Sequence, residues 1–244
     1  MLSTPSSPRT LIIMPAWNEA IVIQETIGEI RAQLPDVDIA VIDDGSRDET
    51  ANMAKQAGAT VIRLPFNVGV GGAMRTGFEY AHRNGYDQAI QVDADGQHDP
   101  ADIPKVLAGL SGANISIGAR FAGVGHYAAR GPRQWAMKIL AAVVSRLAHT
   151  KLTDVTSGFR AADRATIEQY RHHYPAEYLG DTVDSLVMAI RSGLTVTQVP
   201  VQMRKRQGGT PSTSPWKSAV YLGRSLLALL IAMTRRPMRS KVAS

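Results

Sequence analysis

The stretch IQVDADGQHDP, residues 90–100, runs an apolar strand into three aspartates. Asp93, Asp95 and Asp99 fall within seven positions, with Gln97 and His98 among them. Hard divalent cations take oxygen ligands, and Mg2+ or Mn2+ held by one or two carboxylates completes its shell with substrate phosphates. Side chains alternate along an extended stretch, so Asp93, Asp95 and Gln97 are expected on one side. Two carboxylates and an amide oxygen there make a partial cation cage. A diphosphate can fill its open positions, and the metal then neutralises charge on a leaving phosphate. The plainer alternative is a solvated acidic turn. Asp99 is read that way, as the cap of a helix begun by Pro100. His98 enters by position alone.

Other stretches bring polar groups of a kind that recognises nucleotides. VIDDGSRDET places Asp43 and Asp44 at another strand end, where a carboxylate can accept hydrogen bonds from ribose hydroxyls or a base N–H. PAWNE supplies Pro15, Ala16, Asn18 and Glu19 beside them. NVGVGGAMRTG, which contains Gly71, leads into a helix. It lacks both the GxGxxG spacing and the P-loop lysine, so its glycines suit close packing as well as a phosphate cradle.

The elements that must position these groups alternate strictly at first. Strands are expected at 10–15, 38–44, 59–64 and 87–93. Helices are expected at 18–34, with Ile23, Ile27, Ile30 and Leu34 on one face, at 46–58, with Ser46 as N-cap and Gly58 as stop, and at 70–85. Such alternation implies parallel strands joined by right-handed crossovers. The unbroken apolar runs are those of strands covered on both faces. The reactive edge of such a sheet is the carboxyl end of its strands. Strands one, two and four all end there in polar clusters. Beyond Asp95 the alternation loosens: a strand at 113–120, a helix at 132–149 opened by Pro132, a turn-rich segment at 153–164, a helix at 180–193 and a strand at 195–203. A basic Gly/Ser/Pro-rich loop and a helix from Trp216 to about Met233 follow.

The 244 residues, 44% hydrophobic, suffice for one large α/β domain or two small ones. The expected division is a flexible tail at 1–9, the α/β domain at 10–212, and a C-terminal apolar and basic helix with its tail at 213–244. The absence of cysteine excludes disulfides, thiolate metal sites and cysteine nucleophiles. The net charge of +6 suits nucleic acid, anionic lipid or a phosphorylated substrate. Aromatics make up 6% and are not interleaved with the basic residues, so no nucleic-acid partner is expected. The first ten residues carry no apolar leader core. The longest strongly apolar run, 225–233, is shorter than the ~20 residues a spanning helix needs. Apolar stripes with basic flanks on the helices at 132–149 and 216–233 suit an anionic membrane surface, or packing on the sheet or on a second copy in a homodimer. The chain is expected in the cytoplasm, with peripheral contact to the inner face of the membrane left open.

MPAWNEA, VIDDGSRDET, NVGVGGAMRTG, VDADGQHDP and TSGFRAADR occur in this order and at a spacing that resembles the inverting glycosyltransferases of GT-A fold. The resemblance is to the branch around dolichyl-phosphate mannose synthase and bacterial polyprenyl-phosphate glycosyltransferases, over roughly residues 10–210. It implies a Rossmann-like, mostly parallel sheet flanked by helices. It implies metal-dependent transfer of a sugar from a nucleoside-diphosphate sugar to a polyprenyl phosphate. A soluble hydroxyl acceptor and a non-catalytic nucleotide-binding scaffold are the alternatives. By the resemblance, Pro15, Ala16, Asn18, Glu19 and Asp44 would hold the nucleoside, Asp43 would share that role or buttress it, and Gly71 and Ala94 would join the donor-binding set. Asp93, Asp95 and Gln97 would bind Mg2+ or Mn2+ and, through it, the diphosphate. Arg120 and Arg206 would sit near the phosphates, and Ser157 to Phe159 would line the acceptor side. Many relatives carry Glu-Asp before the late helix, with the Asp as general base. Here the stretch reads YLGDTVDSL, and Asp181 or Asp184 takes that position, or starts the helix.

Overall fold

The computed structural model describes residues 7–120, 132–175 and 181–204, with side chains from 137 and from 182 in the latter two segments. A seven-stranded sheet forms the centre, in the order β3-β2-β1-β4-β6-β5-β7. The first half alternates as its apolar runs require: β1 (Thr10–Ala16), α1 (Ile23–Gln33), β2 (Asp38–Asp43), α2 (Thr50–Gln56), β3 (Thr60–Arg63), α3 (Val70–Arg83) and β4 (Gln88–Gln91). β1 pairs in parallel with both β2 and β4, and β2 in parallel with β3. Period-two alternation sends Leu11 and Ile13 to one face and Ile12 and Met14 to the other, and all four are buried. Leu11 and Ile13 pack with Met74 and Phe78 of α3. Ile12 and Met14 pack with Ile23, Ile27 and Ile30 of α1, the stripe read from the sequence.

The second half holds α4 (Ile103–Ala108), β5 (Ile115–Ala119), α5 (Pro132–Ala148), β6 (Arg160–Asp163), α6 (Arg164–His173), α7 (Asp181–Arg191) and β7 (Val196–Pro200). β6 is antiparallel to both β4 and β5, and β7 runs parallel to β5. The sheet is therefore mixed but mostly parallel.

Several expectations need correction. The segment at 153–164 is not turn throughout, because Arg160–Asp163 form β6, inside the sheet between β4 and β5. RAAD carries no alternation, and two buried alanines, Ala161 and Ala162, suit a strand pressed between neighbours. α6 had no counterpart in the sequence reading; Asp163 caps it by accepting from Thr166 N–H at 2.8 Å, and Thr166, Ile167 and Tyr170 are its buried residues. α1 begins at Ile23 rather than 18, since Asn18 adopts a left-handed φ of 56° that no helix admits. Ser46 does not cap α2, which starts at Thr50; its hydroxyl accepts instead from Asn18 N–H at 2.9 Å. Among the described residues no helix is long and apolar enough to cross a membrane. The helix expected at 216–233, the basic loop expected from Lys205 onward and most of the expected tail at 1–9 lie outside the described residues.

Candidate functional site

The loops leaving β1 and β2 are zipped together at the carboxyl edge of the sheet. Asp44 N–H donates to Ala16 O at 2.9 Å, Asn18 Oδ1 accepts from Arg47 N–H at 2.9 Å, and Glu19 N–H donates to the Thr50 hydroxyl at 2.8 Å. Pro15 and Ala16 lie in register with Ile42 and Asp43. Asp43 is fully buried and braces the loop from inside: Oδ1 accepts from Ser46 N–H at 3.0 Å, and Arg63 Nε lies 3.3 Å from Oδ2. Asp44 reaches the glycine-rich loop, where its two oxygens accept from Val68 N–H at 2.7 Å and Gly69 N–H at 2.9 Å. Burial pushes its carboxyl up from the usual range, the two N–H bonds oppose this, and the neighbouring Asp43 adds to the rise. Gly71 is buried in the first turn of α3. Between these loops opens a cleft of about 890 Å3 whose lining includes Trp17, Asn18, Ser46, Arg47, Arg63 and Phe66.

The aspartates beyond β4 lie on a turn, not on the extended stretch that the period-two argument assumed. Ala94 and Asp95 are turn residues, and Gly96 has a φ of 73°, which favours glycine. Alternation therefore cannot place Gln97 beside Asp93 and Asp95. Gln97 instead donates its N–H to Asp95 Oδ1 at 3.0 Å. Asp93 is held by Gln91 Nε2, which donates to Oδ1 at 3.1 Å, and by His98, whose Nδ1 accepts Asp93 N–H at 3.0 Å. An accepting Nδ1 puts the imidazole proton on Nε2, which lies 3.6 Å from Asp93 Oδ2. His98 is itself buried and stacks on Phe159, with ring centroids 4.6 Å apart. From the other side the Thr26 hydroxyl of α1 donates to Ala94 O at 3.2 Å. Asp99 caps the turn at Pro100, as expected, by accepting from Ala101 N–H.

These positions fit a cation bound jointly with a diphosphate rather than one caged by protein alone. The donors are hard oxygens, and the Asp93 side chain stays 40% exposed although its backbone is fixed. Among the described residues no group of three or more His, Asp or Glu is arranged to hold a metal. The remaining ligands would have to come from substrate.

The TSGF segment closes the site. Gly158 lies so near Asp93 that a Cβ there would come within 3.6 Å of both carboxylate oxygens and 2.9 Å of Gln91 Nε2. Arg120 turns toward this segment: Nε and Nη2 donate to the two Asp154 oxygens at 2.6 and 2.9 Å, and Nη2 also to the Thr156 hydroxyl at 2.9 Å. Burial would raise the Asp154 carboxyl, but the bonds from Arg120 outweigh it and hold it below the usual range. α7 begins at Asp181, with Asp184 half-buried in its first turn; the Asp181 side chain and Arg206 lie outside the described residues. Arg160 Nη1 donates to Thr182 O at 2.5 Å, linking β6 to the start of that helix. Sequence reasoning missed Gln91, Thr26, Phe159 as a stacking platform and the bracing role of His98. None has a local signal, because each acts through a contact the fold creates.

The family model for Glycosyl transferase family 2 matches residues 11–171. A polyprenol monophosphomannose synthase of Mycolicibacterium smegmatis is 29% identical over 222 residues, covering 84% of this chain and 81% of the relative. An undecaprenyl-phosphate mannosyltransferase of Micrococcus luteus is 30% identical over 216 residues, covering 84% and 88%. Among solved structures, glucosyl-3-phosphoglycerate synthase from Mycobacterium tuberculosis, in complex with Mn2+, UDP and glucosyl-3-phosphoglycerate, superposes with a TM-score of 0.69. It is 22% identical and covers 93% of this chain and 80% of its own, a likeness of fold. The match to the family model and the two mannosyl-transferring relatives agree with the clustered edge of this GT-A sheet, and the chain belongs to glycosyl transferase family 2 and is a glycosyltransferase.

Proposed function

We propose that this enzyme transfers a sugar, with inversion, from a nucleoside-diphosphate sugar to a polyprenyl phosphate. The observation that carries the reading is the braced turn bearing Asp93 and Asp95, set beyond β4 on the same sheet edge as the β1 and β2 loops. Support for the acceptor comes from relatives whose names specify polyprenol and undecaprenyl phosphate. Support for a divalent ion comes from the hard-oxygen donor set, and from the Mn2+ in the solved glucosyl-3-phosphoglycerate synthase. When bound, Mg2+ or Mn2+ would neutralise charge gathering on the departing diphosphate.

The base of the donor would lie in the cleft beside Trp17 and Phe66, both exposed aromatics, with Asn18 and Asp44 fixing the loops around it. Asp93 and Asp95 would hold the cation, with Gln97 completing the set by the resemblance. Of Ser157 to Phe159, Gly158 beside Asp93 would face the acceptor, while Phe159, fully buried against His98, would brace it from behind. A phosphate acceptor is already ionised near neutrality and needs no strong base, so Asp181 or Asp184 would orient it or start α7 rather than remove a proton. Acting on a lipid, the enzyme would work at the membrane surface.

The test joins binding to turnover. Thermal shifts with UDP, GDP and dTDP, each with and without Mn2+, should rank the bases and show cation-dependent stabilisation. Labelled sugar from the nucleotide sugar that binds best should then appear on polyprenyl phosphate. Transfer to a water-soluble alcohol, with polyprenyl phosphate inert, would replace the lipid acceptor by a soluble hydroxyl. Stabilisation by nucleotide with no response to Mn2+, or to Mg2+ in its place, would remove the cation.

A further inference from the structure

Resting on the cation reading above, we propose that Arg204 is a positioning residue for the aspartate turn. Its guanidinium clips that turn both to α1 and to the chain leaving β7, and so presets the geometry of Asp93 and Asp95. Nη1 donates to Glu29 Oε2 of α1 at 2.6 Å, and Nη2 donates to Asp99 Oδ1 at 2.9 Å. The backbone joins in, as Arg204 N–H donates to Gln97 O at 2.9 Å. Met203 forms an antiparallel bridge with His98, and Gln202 N–H donates to Asp102 Oδ2 at 2.8 Å. The partners of the guanidinium are 175 and 105 residues away in sequence, so only the closed fold brings them together.

Two routes lead from this clip to the aspartates. In the first, Arg204 N–H holds the Gln97 carbonyl while the Gln97 N–H is held by Asp95 Oδ1. In the second, Met203 pairs with His98, whose Nδ1 accepts Asp93 N–H. A planar guanidinium can reach two carboxylates in fixed directions, whereas an ammonium is a point charge. Arg204 and its partners are about one-third exposed or less, and such pairs add little to global stability. Their effect is on where the turn sits.

The sign of the effect separates positioning from charge. Neutralising Arg204 leaves Glu29 and Asp99 uncompensated, which by Coulomb attraction alone would tighten a nearby cation. Loss of position loosens it. The experiment uses the full chain and its Arg204→Met, Arg204→Lys and Asp95→Asn variants. Free Mn2+ is counted by paramagnetic resonance in the presence of UDP, then of GDP. Metal-free hydrogen exchange is followed in peptides spanning 92–99, β1 and α3. Arg204→Met should weaken Mn2+ about tenfold, the usual size of such an outer contact, with Arg204→Lys in between. Exchange should quicken in 92–99 and stay unchanged in β1 and α3. Unchanged or tighter Mn2+ in Arg204→Met, or unchanged exchange in 92–99, overturns the clip. Mn2+ binding by Asp95→Asn equal to that of the parent overturns the cation reading instead, while the exchange result still judges the clip. If Arg204→Met does not fold, Glu29→Gln takes its place and is judged by exchange in 92–99 alone, which should quicken, because losing a carboxylate would itself weaken Mn2+.

Discussion

Adding one methyl group at position 158 is a sharp probe of the aspartates. The first atom it would meet is Gln91 Nε2, at 2.9 Å, the end of a side chain that can swing away. Gly158→Ala should therefore cost about 1–3 kcal/mol in unfolding free energy, because the amide of Gln91, itself buried, loses its partner. Swinging Gln91 away removes its bond to Asp93, so Mn2+ affinity in the presence of nucleotide should fall severalfold. Loss of stability without loss of Mn2+ would contradict this. Asp154 gives a prediction of a different kind. A carboxyl held below its ordinary value contributes stability that is present above the unfolded value and lost as pH falls through the folded one. Asp154→Asn should cost about 3 kcal/mol near pH 7, as expected for breaking a buried pair, and the gap to the parent should close in acid. Urea unfolding across pH measures it; a gap that stays constant into acid denies the pairing. Residues such as Asp93 and Asp95 were legible in the sequence because acids clustered at the end of an apolar run are conspicuous. The bracing by His98 was not, since its partners are a backbone N–H and a phenyl ring supplied by the fold.

At the scale of elements, the four parallel strands and α1 to α3 could be read because strand and helix patterns alternate between polar loops, even where β3, β4 and α2 are themselves short. Their bounds differ from the reading where a loop conformation wins, as at Asn18. β6 was missed for a physical reason: RAAD has two alanines and no β-branched residue, and only placement between β4 and β5 makes it a strand. The aspartate turn shows the converse. An apolar strand running into Asp93 predicts a continued period of two, but the turn at Ala94 and Asp95, with the positive φ of Gly96, ends it. α1 carries a stability prediction, because it backs the aspartate turn through Thr26 while Ile27 is fully buried. Ile27→Ala should cost about 2–5 kcal/mol by chemical denaturation, the range for deleting a core side chain. A cost near zero would mean that α1 is not packed as described.

For the whole molecule, the formal charge of +6 and the proposed lipid acceptor together predict a salt-sensitive association with membranes. The full chain should co-sediment with vesicles containing anionic lipid, and release as ionic strength rises from about 0.05 to 0.5 M, where screening shortens to a few ångströms. Equal binding to neutral vesicles would point to an apolar contact instead.

The strand order carries one more consequence. β4 and β5 are consecutive in the chain, yet β6 lies between them. During synthesis, β1 to β4 can pair as soon as they emerge, while β5 must wait for partners not yet made, β6 on one side and β7 on the other. A nascent polypeptide halted ahead of Arg160 thus holds a finished half-sheet and an orphaned strand, and the ribosome must deliver four more residues before the two halves can be stitched.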